Sequence, residues 1–106
     1  MKEITVQGLR ELQNSGENFQ IIDIREPYEY DNCNMGGELI PMHEIPHSID
    51  RIQRQIKVIL HCGSGNRSPK MVRWLERHHA FENLYSLKGG LQAWASEVNP
   101  AILVNC

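Results

Sequence analysis

Residues 57–72 read KVILHCGSGNRSPKMV, an apolar run followed by a glycine-rich turn and the start of an amphipathic segment. The run Val58–Leu60 lacks polar alternation, which is typical of a strand covered on both faces. Pro69 suits the first turn of a helix, because the amide that proline lacks would have no intrahelical partner there. Apolar residues in the segment Met71–Leu75 then follow at helical spacing. The sequence therefore predicts a buried strand, a tight loop and a helix.

Alternating strand and helix signals extend through the rest of the chain. Strands are predicted at Ile4–Val6, Phe19–Ile24, Leu39–Ile40, Lys57–His61 and Leu84–Leu87. Helices are predicted around Leu9 and Leu12, at Pro27–Asp31, at Ser48–Gln55, after Ser68 and after Gly89-Gly90. This order predicts an α/β fold with a central, mostly parallel sheet flanked by helices on both faces.

Cys62 directly follows the predicted strand, at the edge where ligands of open α/β sheets gather. Gly63 and Gly65 can adopt positive φ and let successive N–H groups converge on an anion. Ser68 is predicted to cap the helix, and Arg67 to add a fixed positive charge that lowers the thiol pKa. An inert buried cysteine is the alternative, but this combination favours a reactive one. The predicted anion-binding loop comprises Gly63, Ser64, Gly65, Asn66, Arg67 and Ser68.

The length of 106 residues predicts a single domain over residues 1–106, with a core at about residues 3–98 and a short C-terminal tail. A net charge of −2 provides no broad basic field, so neither nucleic acid nor a membrane is expected as a partner. The segment Met1–Gly8 lacks the apolar run of a signal peptide. The three cysteines form no Cys-x-x-Cys pair, and we expect free thiols in a cytoplasmic protein without a metal site.

Three ordered motifs resemble those of one family. Residues 22–30, IDIREPYEY, resemble the first signature of rhodanese-like domains, and the loop Cys62–Arg67 resembles their active loop. Residues 89–94, GGLQAW, are similar to the closing segment of that family. The resemblance to single-domain rhodanese sulfurtransferases therefore covers most of the chain.

The resemblance implies the rhodanese fold and a catalytic Cys62 that carries transferable sulfur as a persulfide. The implied partners are a small donor such as thiosulfate, or a persulfide protein, and an acceptor such as cyanide or a thiol. The covalent persulfide is the intermediate, and no cofactor is expected. Asp23, Arg25 and Glu29 are implied to form a supporting polar network.

Two other functions are compatible with the motifs. A cysteine phosphatase or arsenate reductase also uses a cysteine and an arginine at a helix start, but with five residues between them. Here four residues separate Cys62 from Arg67, which favours a cradle for one sulfur atom over one for a phosphoryl group. A non-catalytic rhodanese-like binding module is the second alternative, because a fold does not fix a function.

Overall fold

A computed structural model describes the backbone of residues 1–105 and the side chains of residues 1–102. The strands are β1 (Lys2–Ile4), β2 (Phe19–Asp23), β3 (Glu38–Leu39), β4 (Lys57–His61) and β5 (Leu84–Leu87). The α-helices are α1 (Val6–Asn14), α2 (Pro27–Asn32), α3 (Ser68–His79) and α4 (Gly90–Glu97). Three 3₁₀ helices lie at Met42–His47, Ile49–Arg51 and Pro100–Asn105. Cys106 lies outside the described residues.

The five strands form one sheet in the order β1-β5-β4-β2-β3, and every neighbouring pair is parallel. Strand β4 is central and pairs with β2 over its whole length and with β5 over Val58–Leu60. The predicted α/β class with a parallel sheet is therefore confirmed. Parallel alignment brings the carboxyl ends of β2, β4 and β5 to the same edge, where Cys62 follows β4.

Side chains of β4 alternate between two apolar layers, which explains its uninterrupted apolar run. Val58 and Leu60 pack in a layer that includes buried residues of α3. Ile59 packs in the opposite layer with buried residues of α1 and α4. All three β4 residues are fully buried. The strand is thus fixed from both sides, which holds the backbone that presents Cys62.

Strand β1 and helix α1 begin earlier than predicted, because Thr5 caps α1. The Gly8 N–H donates to the Thr5 side-chain oxygen at 3.0 Å, and Val6 becomes the first helical residue and is buried. The predicted strand at Ile4–Val6 is therefore wrong at Thr5 and Val6.

The helix predicted at Ser48–Gln55 is also wrong. The segment forms only the short 3₁₀ helix Ile49–Arg51, and Ile52 is extended with φ −93° and ψ 118°. Ile52 is nevertheless buried in the core layer on the α3 side. Ile49 and Ile52 therefore contact the core from a 3₁₀ turn and an extended residue. Their spacing of three residues does not distinguish this arrangement from an α-helix.

Among residues 1–105, no helix is long and apolar enough to cross a membrane.

Candidate active site

The Cys62 thiol lies at the start of α3 and is fully buried. The Ser68 N–H donates to Cys62 Sγ at 3.4 Å, and the Ser68 hydroxyl lies 3.6 Å from the same sulfur. That hydroxyl also lies 2.8 Å from the hydroxyl of Ser86, which is buried on β5. Backbone and side chain of Ser68 thus both face the sulfur.

The prediction that Ser68 caps α3 is wrong. Arg67 occupies the N-cap position with helical dihedral angles, and its side chain makes no capping hydrogen bond. Ser68 is the first helical residue, although Pro69 follows it and normally disfavours helical angles in the preceding residue. The hydrogen bonds of Ser68 with the Cys62 sulfur and with Ser86 stabilise its helical conformation against this local preference.

The pKa of the Cys62 thiol lies below its ordinary value. Burial by itself raises this pKa, since it disfavours the charged thiolate. Hydrogen bonds from the Ser68 amide and hydroxyl, and from the amides of Arg67 and Gly65, outweigh the effect of burial. The loop therefore stabilises negative charge on the sulfur through aligned backbone donors.

The active loop is anchored on the first turn of α4. The Leu91 N–H donates to the Cys62 carbonyl at 2.8 Å, and the Gln92 N–H donates to the Gly63 carbonyl at 2.9 Å. Gly90 has φ +60°, and a Cβ added there would lie 2.5 Å from the Cys62 carbonyl oxygen. A glycine at position 90 is thus what lets α4 approach the loop so closely.

Of the two loop glycines, only Gly65 has the predicted positive φ, at +91°. A Cβ on Gly65 would lie 2.9 Å from the Gly89 amide nitrogen. The prediction of positive φ is wrong for Gly63, which has room for a Cβ at 3.5 Å from an Arg67 guanidinium nitrogen. Ser64 and Asn66 are exposed.

The Arg67 guanidinium forms a bidentate ion pair with the Glu29 carboxylate on α2. The two N–O distances are 2.9 Å and 3.0 Å. The hydrogen bond to Arg67 lowers the pKa of Glu29, and the same hydrogen bond raises the pKa of Arg67. The predicted fixed charge beside the thiol is therefore compensated by a carboxylate, and the lowered pKa of Cys62 arises from the loop amides and Ser68.

A second guanidinium, that of Arg25, is buried beside the end of β2. It donates to both oxygens of the fully buried Asp23 carboxylate, with a shortest distance of 2.8 Å. It also donates to the Cys33 carbonyl at 2.7 Å and to the Glu29 carbonyl at 3.5 Å. Asp23, Arg25 and Glu29 thus lie together. Arg25 is paired with Asp23, and Glu29 is paired with Arg67. The hydrogen bond from Arg25 to the Glu29 carbonyl joins the two pairs through the backbone of α2.

His61 is a buried neighbour of the site. Its Nε2 lies 3.7 Å from an Asp23 carboxylate oxygen and has no hydrogen-bond partner among the described residues. Burial lowers the pKa of His61, although the Asp23 carboxylate opposes this effect. Its ring is therefore a neutral group packed behind the loop.

Cys62 and Cys33 differ in their chemical state. Cys62 is a free thiol. Cys33 is disulfide-bonded, so the expectation of free thiols is wrong at that position.

A cavity of about 460 Å³ opens beside Gly63. Its volume lies in the range of small-molecule sites. It is lined by Arg25, Glu29, Asn32, Cys33, Gly63, Leu91, Gln92 and Ala95.

Two further residues support the loop and were missed in the sequence. Ser86 is a single polar residue in the otherwise apolar and aromatic strand β5, and it lies in register with Leu60 of β4. A lone serine in a buried strand is the signal that could have identified it, because buried hydroxyls require partners. Gly90 was noted only as part of a motif, and its contact with the loop depends on tertiary packing.

The sequence model of the rhodanese-like domain matches residues 5–97. The chain belongs to the rhodanese-like domain family. A crystal structure of a rhodanese-like domain protein from Staphylococcus aureus is similar to it, with a TM-score of 0.82 and 29% identity. The similarity covers 92% of this chain and 95% of that one.

Two curated relatives of this rhodanese-like chain have names that refer to sulfur transfer. A protein from Allochromatium vinosum named sulfurtransferase is 29% identical, over 96% of this chain and 95% of that protein. A protein from Mycobacterium tuberculosis named probable adenylyltransferase/sulfurtransferase MoeZ is also 29% identical, over 95% of this chain. The chain spans only 26% of the length of this second relative. Both names support sulfur transfer at the level of the family.

Ser68→Ala is expected to raise the pKa of Cys62, because the hydroxyl that faces the sulfur is lost while the backbone N–H remains. Arg67→Ala is expected to raise it less, since that guanidinium is paired with Glu29 and the Arg67 amide is retained. The measurement is thiolate ultraviolet absorbance against pH, in a Cys33→Ser/Cys106→Ser background that leaves one thiol. A larger shift in Arg67→Ala than in Ser68→Ala would contradict the assignment of the effect to the loop.

Proposed function

We propose that this rhodanese-like protein is a sulfurtransferase that carries sulfur as a persulfide on Cys62. The observation that carries the proposal is the buried thiol at the start of α3, whose pKa is lowered by Ser68 and the loop amides. A thiolate is the reactive form of cysteine, and a lowered pKa increases the fraction of Cys62 in that form at a given pH. The names of the full-length Allochromatium relative and of the Mycobacterium relative agree with this activity.

The proposed cycle has two displacements. In the first, the Cys62 thiolate attacks the outer sulfur of a donor such as thiosulfate. A bond forms between Sγ and that sulfur, and sulfite leaves with the electron pair of the broken S–S bond. In the second, cyanide or a thiolate attacks the outer sulfur of the persulfide and regenerates the Cys62 thiolate. Atoms and electrons balance without a metal or an organic cofactor.

The loop supports each anionic stage of this cycle. The amides of Gly65, Arg67 and Ser68 are donors to the Cys62 sulfur, and they need no rearrangement to stabilise its charge. The Leu91 and Gln92 amides hold the loop carbonyls and therefore keep this arrangement rigid. Preorganised donors of this kind are the main means by which proteins stabilise developing charge.

Phosphoryl transfer is less compatible with the same geometry. Arg67, the residue that would bind phosphoryl oxygens, is already bound in a bidentate pair to Glu29. The loop also has four residues between Cys62 and Arg67, which leaves fewer amides for three equatorial oxygens. The buried, neutral His61 is not placed to protonate a leaving group, since its Nε2 lies toward Asp23.

Steady-state assays test the proposal against both alternatives. We expect thiocyanate formation from thiosulfate and cyanide, with parallel double-reciprocal lines as each substrate is varied, because the donor product leaves before the acceptor binds. We expect hydrolysis of an aryl phosphate to be no faster than in Cys62→Ser. Phosphatase turnover that exceeds sulfur transfer would contradict the proposal, and the absence of both activities would favour a binding module.

The proposed partners are a small sulfur donor or a persulfide protein and a cyanide or thiol acceptor, without nucleic acid or membrane. The cytoplasmic location stays a prediction of the sequence, and a disulfide at Cys33 is less usual in a reducing compartment.

A further inference from the structure

Two charged side chains line the cavity beside Gly63, those of Arg25 and Glu29, and each is paired with an opposite charge. Arg67 is bound through two hydrogen bonds to Glu29, and Arg25 is bound to the buried Asp23 carboxylate. Each pair has no net charge. Lys70 and Lys88 are exposed and do not line this cavity. The described part of the cavity therefore offers a donor no uncompensated cation.

Four backbone amides near the cavity are also occupied. The first-turn amides of α4, those of Leu91 and Gln92, donate to loop carbonyls and are not available to a ligand. The amides of Gly65 and Ser68 are directed to the Cys62 sulfur. These four amides thus hold the loop or stabilise the reacting sulfur, and none of them is directed to the group that the donor releases.

The lining of the cavity also includes apolar side chains. Leu91 and Ala95 of α4 line the cavity, together with Glu29 of α2. The methylene and methyl groups of these residues suit an organic substituent, which gains free energy by leaving water. A small dianion such as thiosulfate gains nothing from this apolar surface, and the nearby Arg67 guanidinium is already neutralised by Glu29.

We propose that Glu29 sets the donor class of this site: by holding Arg67 in an ion pair, it favours organic persulfides with an uncharged substituent over the thiosulfate dianion. The inference rests on sulfur transfer at Cys62 as proposed above. Glu29 acts through Arg67 and is therefore a specificity-determining residue that positions a charge, with no part in bond formation.

The two donors differ in the charge that accumulates at the site. With an organic persulfide, the Cys62 thiolate bonds to the outer sulfur, the donor S–S bond breaks, and the released thiolate takes a proton from solvent. With thiosulfate, the same bond changes release sulfite, and the thiolate and the dianion together bring three negative charges. The second reaction therefore depends more strongly on an available guanidinium.

The test compares two donors, thiosulfate and the persulfide of N-acetylcysteine methyl ester, which carries no carboxylate. Rapid quenching and intact-mass measurement give the rate constant for addition of one sulfur atom to the full chain. We expect Glu29→Gln to raise the thiosulfate rate constant about tenfold and to change the persulfide rate constant less than about threefold. We expect Arg67→Gln to lower the thiosulfate rate constant more than that of the persulfide.

The control is Glu38→Gln on the edge strand β3, which changes another carboxylate–guanidinium contact: two nitrogens of Arg51 donate to one carboxylate oxygen of Glu38. It should leave the ratio of the two rate constants unchanged. An unchanged ratio in both Glu29→Gln and Arg67→Gln, or an equal change in Glu38→Gln, would overturn the role of Glu29. Absence of sulfur addition from either donor in the wild-type protein would instead overturn sulfur transfer itself.

Discussion

Cys62→Ser is expected to reduce sulfur transfer by at least about 10³-fold, because a serine hydroxyl neither ionises near neutral pH nor forms a persulfide. The substitution is nearly isosteric, and the Ser68 amide and hydroxyl that face Sγ can bind the new hydroxyl. The fold should therefore remain intact. Thiocyanate formation from thiosulfate and cyanide measures the loss, and the thermal unfolding midpoint checks the fold.

Cys33→Ser is the matched control, since Cys33 also lines the cavity beside Gly63 but is disulfide-bonded. We expect it to retain most of the activity. Transfer at the wild-type rate in Cys62→Ser, with loss of transfer in Cys33→Ser, would show that the nucleophile has been assigned to the wrong cysteine.

Gly90→Ala is expected to destabilise the protein by roughly 2–5 kcal/mol and to impair sulfur transfer. The new Cβ would lie 2.5 Å from the Cys62 carbonyl oxygen and 2.7 Å from that of Gly63. The φ of +60° adds the cost of a left-handed conformation for alanine. Relief of the clash would require the loop and α4 to separate, which breaks the hydrogen bonds from the Leu91 and Gln92 amides. Urea unfolding measures the change in free energy.

Two alanine variants separate the causes of this effect. Gly16 has φ +80° with nothing within 4 Å of an added Cβ, so Gly16→Ala reports the conformational cost alone, about 1 kcal/mol. Gly63 lacks positive φ and has ordinary space for a Cβ, so Gly63→Ala should change stability by no more than about 0.5 kcal/mol. A loss in Gly90→Ala no greater than that in Gly16→Ala would contradict the close approach of α4 to the loop.

The sequence was sufficient to predict the parallel α/β sheet and the loop. Runs such as Val58–Leu60 are apolar on both faces of a strand, which is typical of a parallel sheet covered on both sides. The position of Cys62 followed from the strand that ends immediately before it. Both features are formed by residues that are close together in the sequence, so the local sequence pattern is sufficient to predict them.

Features that depend on contacts between distant segments were not predictable. Arg67 is separated from Glu29 by 38 positions, and nothing in the loop indicates that its charge is compensated there. Serine is a common helix-capping residue, but the hydroxyl of Ser68 forms a hydrogen bond with Ser86 and its amide donates to the Cys62 sulfur. In each case tertiary packing decided the role of a residue whose type alone was ambiguous.

The most direct measurement is the mass of the protein after one equivalent of donor, before and after cyanide. We expect the wild-type chain to gain one sulfur atom, peptide mapping to locate it on Cys62, and cyanide to remove it with release of one equivalent of thiocyanate. Cys62→Ser should gain none. A stable sulfur adduct located on another cysteine, or thiocyanate formation without any adduct on Cys62, would contradict persulfide transfer through this residue.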